Sequence, residues 1–531
     1  MDRVEPPPQR AEVNFTQHRW AARATGALLA AALMAAAECI PGLAWLVLLA
    51  LTPLCLVLRG EAFLEDFTAL AVFNGAFTAF TTQWIRLTGS GFTWFLLAAV
   101  VYEMLLAAIP AAGLWLAGRR GVGKRALLLL PVFLMFLELL SRRAFFGISW
   151  ALIGLPLADY PPVAQVAAIA GPEALTFLAV AVNVALALAF QPERRLRRWA
   201  AIQAAGLTAC ALTFGLTQVD GGPEAVTPKI AVVQPMISQQ TRWDRPENRP
   251  PLLARMNRLI DAAAAQSPRL IVLPEAALPG LVHRERDLAD FATGAVERTG
   301  RPILFGSVTS DQSGNFYNTA IRIGTDGAVD EYRKRRLVPF VEHTPWPFHY
   351  TPPDGWVQFT PGDTPAMMPL GAAWSFAVAM CLEDTYPDLA RQSARSGANL
   401  LIAMINTENF KGTSQALAHL RRARLTAIAA GIPILRAANS GISCSIDAHG
   451  RLLGSLPANR ESAEALPVST WTVPTVYGTV GDAGVLAMLA LWLGLAALAM
   501  RAHVPAVVLP PRKHRRRGRR RSAAPGEVLP G

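Results

Sequence analysis

Residues 39–58 are twenty consecutive positions without a charged side chain, and residues 67–85 are nineteen more. A helix needs about 20 apolar residues to cross the hydrocarbon core of a bilayer, so runs of this length place much of the chain in lipid. Further apolar stretches follow at about 91–118, 124–141, 162–190, 199–217 and 480–500, and a shorter Ala-rich one runs from Thr25 to Ala37. That first stretch has the look of a signal peptide, but Glu38 makes a poor cleavage context and more spans follow at once. Of 531 residues, 52% are hydrophobic and only 17% charged, against about 25% in soluble domains. The fold class predicted is a multi-span α-helical membrane domain of about eight transmembrane helices, joined to a water-facing domain. A disordered or fibrous chain is ruled out and a purely soluble enzyme disfavoured.

Orientation follows from the basic residues in short loops, which stay on the cytoplasmic side. Arg3, Arg10, Arg19 and Arg23 precede the first span, Arg119, Arg120, Lys124 and Arg125 lie between the fourth and fifth, and Arg194, Arg195, Arg197 and Arg198 between the sixth and seventh. With eight spans all these loops share one side with both termini. The predicted organisation is a bundle over 1–217, an extracytoplasmic domain over 218–479, a last helix over 480–501 and a basic cytoplasmic tail over 502–531. The bacterial cytoplasmic (inner) membrane, with the large domain on the periplasmic side, is the expected location.

The net charge of +12 first suggests nucleic acid, yet eight of the basic residues fall within Arg512–Arg521. No aromatic residue interleaves them, so base stacking has nothing to use. The tail reads as a topology anchor or anionic-lipid contact, with no nucleic-acid partner. The five cysteines form no CxxC pair or dense framework, which argues against a zinc site or disulfide scaffold. Cys444 is expected unpaired in a strand.

Between Asp220–Pro228 and the last span the pattern changes. Lys229–Gln234, Arg269–Pro274, Pro302–Val308, Phe316–Ile323, Gly327–Arg333, Ser375–Met380, Ala398–Ile405 and Ile432–Ala437 read as strands. Helical stretches at 247–265, 283–299, 385–396 and 414–430 separate them. Short β-branched runs alternating with helices predict an α/β layered domain.

Three strand ends in that domain carry reactive side chains: Glu275 in LPEAALPG, Lys334 in EYRKRRLVPFVEH, and Cys381 in FAVAMCLED. Strand ends are where catalytic groups converge in α/β sheets. Each has an ordinary alternative: a solvated loop Glu, a Lys in a surface patch with Arg333, Arg335 and Arg336, and an inert core Cys.

Together, LPEAALPG, YRKRRLVPFVEHTP and MCLED resemble the three signature segments of the carbon–nitrogen hydrolase (nitrilase) superfamily, with its Glu–Lys–Cys triad. The multi-span frame narrows the resemblance to the apolipoprotein N-acyltransferase family. VVQPMISQQTRW (with Trp243), LVPFVEHTP (with Glu342), HLRRARLTAIAAGIPILRAANSGISCSID, and in the bundle FLELLSRRAFFGISW and EALTFLAVAVNVALA extend it over roughly residues 20–500. The chain departs from the family at Leu382, where a Tyr is usual, at Asn409-Phe410, where Trp-Phe is usual, and at Thr426 in place of an Arg.

The resemblance implies a nitrilase-like αββα domain and a ping-pong acyl transfer through a Cys381 thioester. Glu275 would be the general base, Lys334 would favour the thiolate and stabilise the oxyanion, and Glu342 and Glu383 would support them. The donor would be a phospholipid such as phosphatidylethanolamine, and the acceptor the N-terminal amine of a diacylglyceryl-cysteine apolipoprotein, modified by a monomer at the membrane. Val341–Pro369, with seven prolines and Trp346, Phe348, Tyr350, Trp356 and Phe359, reads as an apolar arm near the bilayer. Trp243, Trp346, Phe348 and Phe410 are the expected substrate contacts. No metal cluster or Gly-rich phosphate loop is apparent, so no cofactor is expected. Glu138 and Arg142, one helical turn apart, read as a structural pair. A membrane-tethered amidase, or an acyltransferase for another amine, shares the triad.

Overall fold

The computed structural model describes residues 10–40, 42–88, 93–143, 152–219, 228–238, 245–345, 357–410 and 413–501. Its water-facing part contains β1 (Lys229–Gln234), β2 (Ile271–Val272), β3 (Leu278–Leu281), β4 (Ile303–Ser310), β5 (Phe316–Ile323), β6 (Val329–Arg333), β7 (Met367–Leu370), β8 (Trp374–Met380), β9 (Leu400–Ile405), β10 (Ile434–Ala438), β11 (Cys444–Ile446), β12 (Leu452–Ser455) and β13 (Ser462–Pro467). They form two sheets. One has the order β13-β1-β2-β4-β5-β6 with β3 beside β4, the other β12-β11-β10-β9-β8-β7. β1, β2 and β4 are parallel at the centre of the first, with β3 also parallel beside β4, and β8, β9 and β10 at the centre of the second; the remaining strands pair antiparallel.

Side-chain alternation explains the layering. Ile230 and Val232 of β1 meet Phe376, Val378, Leu400 and Ile402 of the other sheet in a core between the sheets. The alternate residues Ala231 and Val233 pack on helices Arg249–Ala264 and Arg286–Thr299. Likewise Leu401, Ala403 and Ile405 of β9 face helices Pro387–Arg395 and Gln415–Ala430. With both faces covered, these strands have no polar side, which is why they read as unbroken apolar runs. The result is a four-layered αββα unit.

Helix Gln415–Ala430 belongs to two cores. Leu420, Ala423, Ala427 and Ala430 lie against the second sheet, while Ala418, Leu425, Ile428 and Ala429 pack into the cluster built by the apolar bundle. Polar ties fix the seat: Gln415 Nε2 donates to the Thr81 carbonyl at 2.5 Å, and buried Arg421 donates to the Glu38 carbonyl at 2.6 Å and pairs with Asp159.

In the bundle, Arg19–Cys39, Thr93–Gly118, Arg194–Val219 and Asp482–Met500 are long and apolar enough to cross a membrane. A fifth span is obtained if Pro161–Ala170 and Glu173–Ala189, bent by 115°, count as one. Helix Phe63–Thr81 has 19 residues but carries Glu65 and Asp66 in its first turn, and the other predicted spans are shorter or interrupted helices among the described residues, so length and composition support four or five crossings where eight were expected. The bend falls at Gly171, whose φ of +76° favours glycine, followed by Pro172. Residues 39–58, uncharged throughout, do not make one helix: they divide into Ala44–Leu46, Val47–Ala50 and Thr52–Val57, the last with Pro53 in its first turn. Broken backbone in an apolar setting must find partners. Fully buried Asn183 supplies them, accepting from Leu51 N at 2.9 Å and Thr52 Oγ1 at 3.0 Å and donating to the Val47 carbonyl at 2.8 Å.

The Glu138–Arg142 pair is corrected. Glu138 instead accepts the Ile153 N–H at 2.8 Å, and Arg142 bonds Glu173 at 2.6 Å and Asp482 at 2.9 Å. Helical spacing allowed the pair, but the bend brings Glu173 closer.

Candidate active site

Each of the three sequence-predicted reactive residues leaves the end of a strand. Glu275 follows the β2 segment, where Leu273 N donates to the Leu304 carbonyl at 2.8 Å. Its backbone lies tight against β4 because residue 306 is glycine: a Cβ there would stand 2.6 Å from Ala276 N and 2.9 Å from Glu275 Cα. Lys334 directly follows β6, its N–H donating to the Asn318 carbonyl of β5 at 2.8 Å. Cys381 directly follows β8 and opens the short 3-10 turn Cys381–Thr385, at φ +53°. A non-glycine residue held there is strained by about 1–3 kcal/mol, a cost that persists only where the surroundings impose it.

The two sheets bring these ends together. Lys334 Nζ, 1% exposed, lies 3.1 Å from Glu275 Oε1 and 2.9 Å from the Glu342 carboxylate. Asn318 Nδ2 donates to both carboxylates, at 2.9 Å to Glu275 and 2.8 Å to Glu342, and Val338 N donates to Glu342 at 2.7 Å. The Cys381 thiol lies close enough to Glu275, Lys334 and Glu342 for their charges to act on it. Glu275, Lys334, Glu342 and Cys381 therefore form one cluster, its charged members buried and the thiol partly exposed.

Its charges act on the thiol in opposite directions. Burial disfavours the Lys334 ammonium, but Glu275, Glu342 and Cys381 outweigh it and hold Lys334 well above its ordinary value. For Cys381 the largest influence is burial, which pushes the thiol well above its ordinary value; Glu275 and Glu342 push the same way and Lys334 alone opposes them. Lys334 thus pulls toward the thiolate, but its neighbours outweigh it. Two carboxylates and desolvation exceed one ammonium, and the resting group is a neutral thiol facing a carboxylate that can take its proton.

Glu383 faces away from that pocket. Fully buried, it accepts four hydrogen bonds, from Tyr332 OH at 2.8 Å, Met380 N at 2.8 Å, Arg335 N at 2.8 Å and Arg336 N at 2.9 Å. Burial raises its carboxyl and the donated N–H groups pull it back. It ties the turn after Cys381 to the chain after Lys334. Next to it, buried Asp384 accepts from His419 Nε2 at 2.7 Å and pairs with Arg436 Nε at 3.0 Å. Sequence reading missed Asn318, Tyr332, Asp384, His419 and Arg436. Asp384 lies inside the CLED segment and was within reach; the others depend on strand pairing and helix seating.

Phe410 is buried, with its ring centroid 4.5 Å from that of Trp84 and 6.1 Å from His419. It borders a cavity of about 40 Å³ lined also by Leu382, Thr385, Gln415, His419 and Arg422. Trp243, Trp346 and Phe348 lie outside the described residues. The described flanks of the predicted arm are stitched to the cluster: Phe359 N donates to the Glu342 carbonyl at 2.8 Å and Gly362 N to the Lys334 carbonyl at 2.8 Å. Cys444 is a free thiol in β11.

Two family models match the chain, one described as carbon–nitrogen hydrolase over residues 229–476 and one as apolipoprotein N-acyltransferase N-terminal domain over 25–185. An apolipoprotein N-acyltransferase of Geobacter metallireducens is 29% identical over 506 residues, covering 90% of this chain and 95% of that one. Another, of Brucella melitensis biotype 1, is 30% identical over 344 residues, covering 60% and 63%. Among solved structures, an amidase from Nesterenkonia sp. AN1 aligns at 17% identity and a TM-score of 0.39, covering 50% of this chain and 99% of that one.

Proposed function

We propose that this chain, which has the two-part make-up of the apolipoprotein N-acyltransferases, moves an acyl chain from a phospholipid to the N-terminal amine of a diacylglyceryl-cysteine apolipoprotein. The carrying observation is the Cys381–Glu275–Lys334–Glu342 cluster, in a domain that shares helix Gln415–Ala430 with an apolar bundle.

In the first half-reaction the Cys381 sulfur attacks the ester carbonyl as its proton passes to Glu275. Lys334 meets the oxyanion, a contribution of about 3–4 kcal/mol for one donor. The ester C–O bond breaks, the lysophospholipid oxygen takes the proton back from Glu275, and a thioester remains. In the second, the acceptor amine attacks the thioester, Glu275 removes the amine proton, and the sulfur leaves and recovers it. A neutral resting thiol suits this order, because the proton moves only when a carbonyl is in place. Glu342 and Asn318 hold Lys334 and Glu275 at fixed separation.

Both substrates are lipid-anchored, so the cluster belongs at the height of the outer leaflet. The reading places the αββα unit on the periplasmic side of the inner membrane, with phosphatidylethanolamine as donor, a monomer as the working form, and Trp243, Trp346, Phe348 and Phe410 along the acyl path. It retains about eight apolar segments as the membrane part, some broken, and the division at 217, 479 and 501.

The test offers the purified chain phosphatidylethanolamine with a diacylglyceryl-cysteine peptide. An amide-linked third acyl chain on the peptide, lost in Cys381→Ala, is the expected product. Turnover of small amides without peptide acylation would assign a membrane-tethered amidase instead.

A further inference from the structure

The turn that carries Cys381 is held from two sides by consecutive acids. Glu383 binds it to the chain after β6. Asp384, three residues after the thiol, binds it to a different pair of elements: His419 on helix Gln415–Ala430 at 2.7 Å, and Arg436 on β10 at 3.0 Å. All three side chains are buried, at 0%, 2% and 1% exposure.

The hydrogen-bond geometry assigns the imidazole's state. Nε2 faces the carboxylate and so carries the proton, while Nδ1 has no partner among the described residues. Burial also keeps His419 below its ordinary value, hence neutral, and Asp384 and Arg436 form the charged pair. A buried carboxylate in this position has no water to fall back on, so its two partners fix where it stands.

The helix supplying His419 is the one shared with the bundle. Gln415, one turn earlier, is bonded to Thr81, and Arg421, two residues later, to Glu38 and Asp159. The path from the bundle to the thiol therefore runs Thr81–Gln415, His419, Asp384, Cys381. The geometry points to Asp384 and His419 as positioning residues: they set the strained turn of Cys381 relative to the helix that docks on the membrane bundle, and so set the height and aim of the thiol for a lipid carbonyl. This rests on Cys381 being the nucleophile, and adds residues that do not touch the substrate.

His419→Gln keeps an amide N–H at the place of Nε2, whereas His419→Leu removes the donor at similar bulk. Full-length protein is exposed to a series of phosphatidylethanolamine concentrations, and single-turnover acyl gain on Cys381 is followed by intact mass, with thermal unfolding alongside. His419→Leu is expected to acylate on the order of 10²-fold more slowly at saturating lipid, the scale of a roughly 1 Å misplacement. Its half-saturating lipid concentration is expected to stay unchanged, and His419→Gln to acylate close to the wild-type rate. Should His419→Leu not fold, His419→Met, which also removes the donor but on a flexible apolar side chain, is expected to show the same loss of saturated rate. The inference is overturned if His419→Leu acylates like wild type, if its loss lies only in half-saturation, or if Gln fails to rescue. If wild type itself gains no acyl mass, the acyltransferase reading fails. Positioning is then judged by iodoacetamide alkylation of Cys381, which Leu but not Gln must alter.

Discussion

Charge around the thiol makes an opposed pair of predictions. Lys334→Met removes a cation that lowers the Cys381 pKa, and Glu342→Gln removes a carboxylate that raises it. Gln is nearly isosteric and keeps an oxygen for Lys334 and for Val338 N. For scale, two unit charges about 5 Å apart in an effective dielectric of about 20 interact by about 3 kcal/mol, or about two pKa units. Below the thiol pKa the thiolate population follows that shift, so iodoacetamide alkylation at fixed pH should fall about a hundredfold in Lys334→Met and rise by up to a comparable factor in Glu342→Gln. Acyl transfer, by contrast, should fall in both: one loses the oxyanion partner, the other the clamp that aims it. In wild type the alkylation rate should still climb with pH at the ordinary thiol value of 9.0, because the folded-state thiol titrates well above it. The assay is a pH series of alkylation rates by intact mass beside a transfer assay. Alkylation moving the same way in both variants, or a wild-type plateau below pH 9.0, would refute the charge reasoning.

Other consequences are independent. Gly306→Ala forces its Cβ onto the backbone of Glu275 and Ala276; transfer should drop on the order of 10²-fold if Glu275 shifts by about 1 Å, and an unchanged rate would show that the close approach is slack. Tyr332→Phe leaves the buried Glu383 carboxylate one donor short, for an expected loss of about 1.5–3 kcal/mol in unfolding experiments in detergent. Arg142→Met strands buried Glu173 without its cation, while Asp482 keeps Arg143, at about 3–5 kcal/mol. Adding Glu173→Gln should recover part of that, and wild-type thermal unfolding of the single variant would show the pairs to be idle.

Much of the water-facing fold was readable from sequence because its strands are covered on both faces. KIAVVQ and FYNTAIRI occupy strands with the predicted bounds, and helix 414–430 was placed within one residue. What could not be read was the sheet to which each strand belongs. A run apolar on both faces carries no mark of which face meets the other sheet, and polar or exposed β12 and β13 gave no pattern at all. In the membrane part, apolar length was legible but helix continuity was not. Pro53 and Gly171-Pro172 were visible breakers, yet only the fold shows Asn183 satisfying the broken backbone. At the site, Glu275, Lys334 and Cys381 stood out by local frame. His419 and Arg436 reach Asp384 only through tertiary packing, and the sign of the thiol shift needs every charge near the sulfur counted at once.

The most direct measurement is the mass of the intact protein after exposure to phosphatidylethanolamine and before any acceptor is added. The account predicts one added fatty acyl group, mapped to Cys381, absent in Cys381→Ala, and discharged when a diacylglyceryl-cysteine peptide is supplied. Peptide acylation that proceeds without any acyl adduct on Cys381, or an adduct that persists in Cys381→Ala, would contradict it.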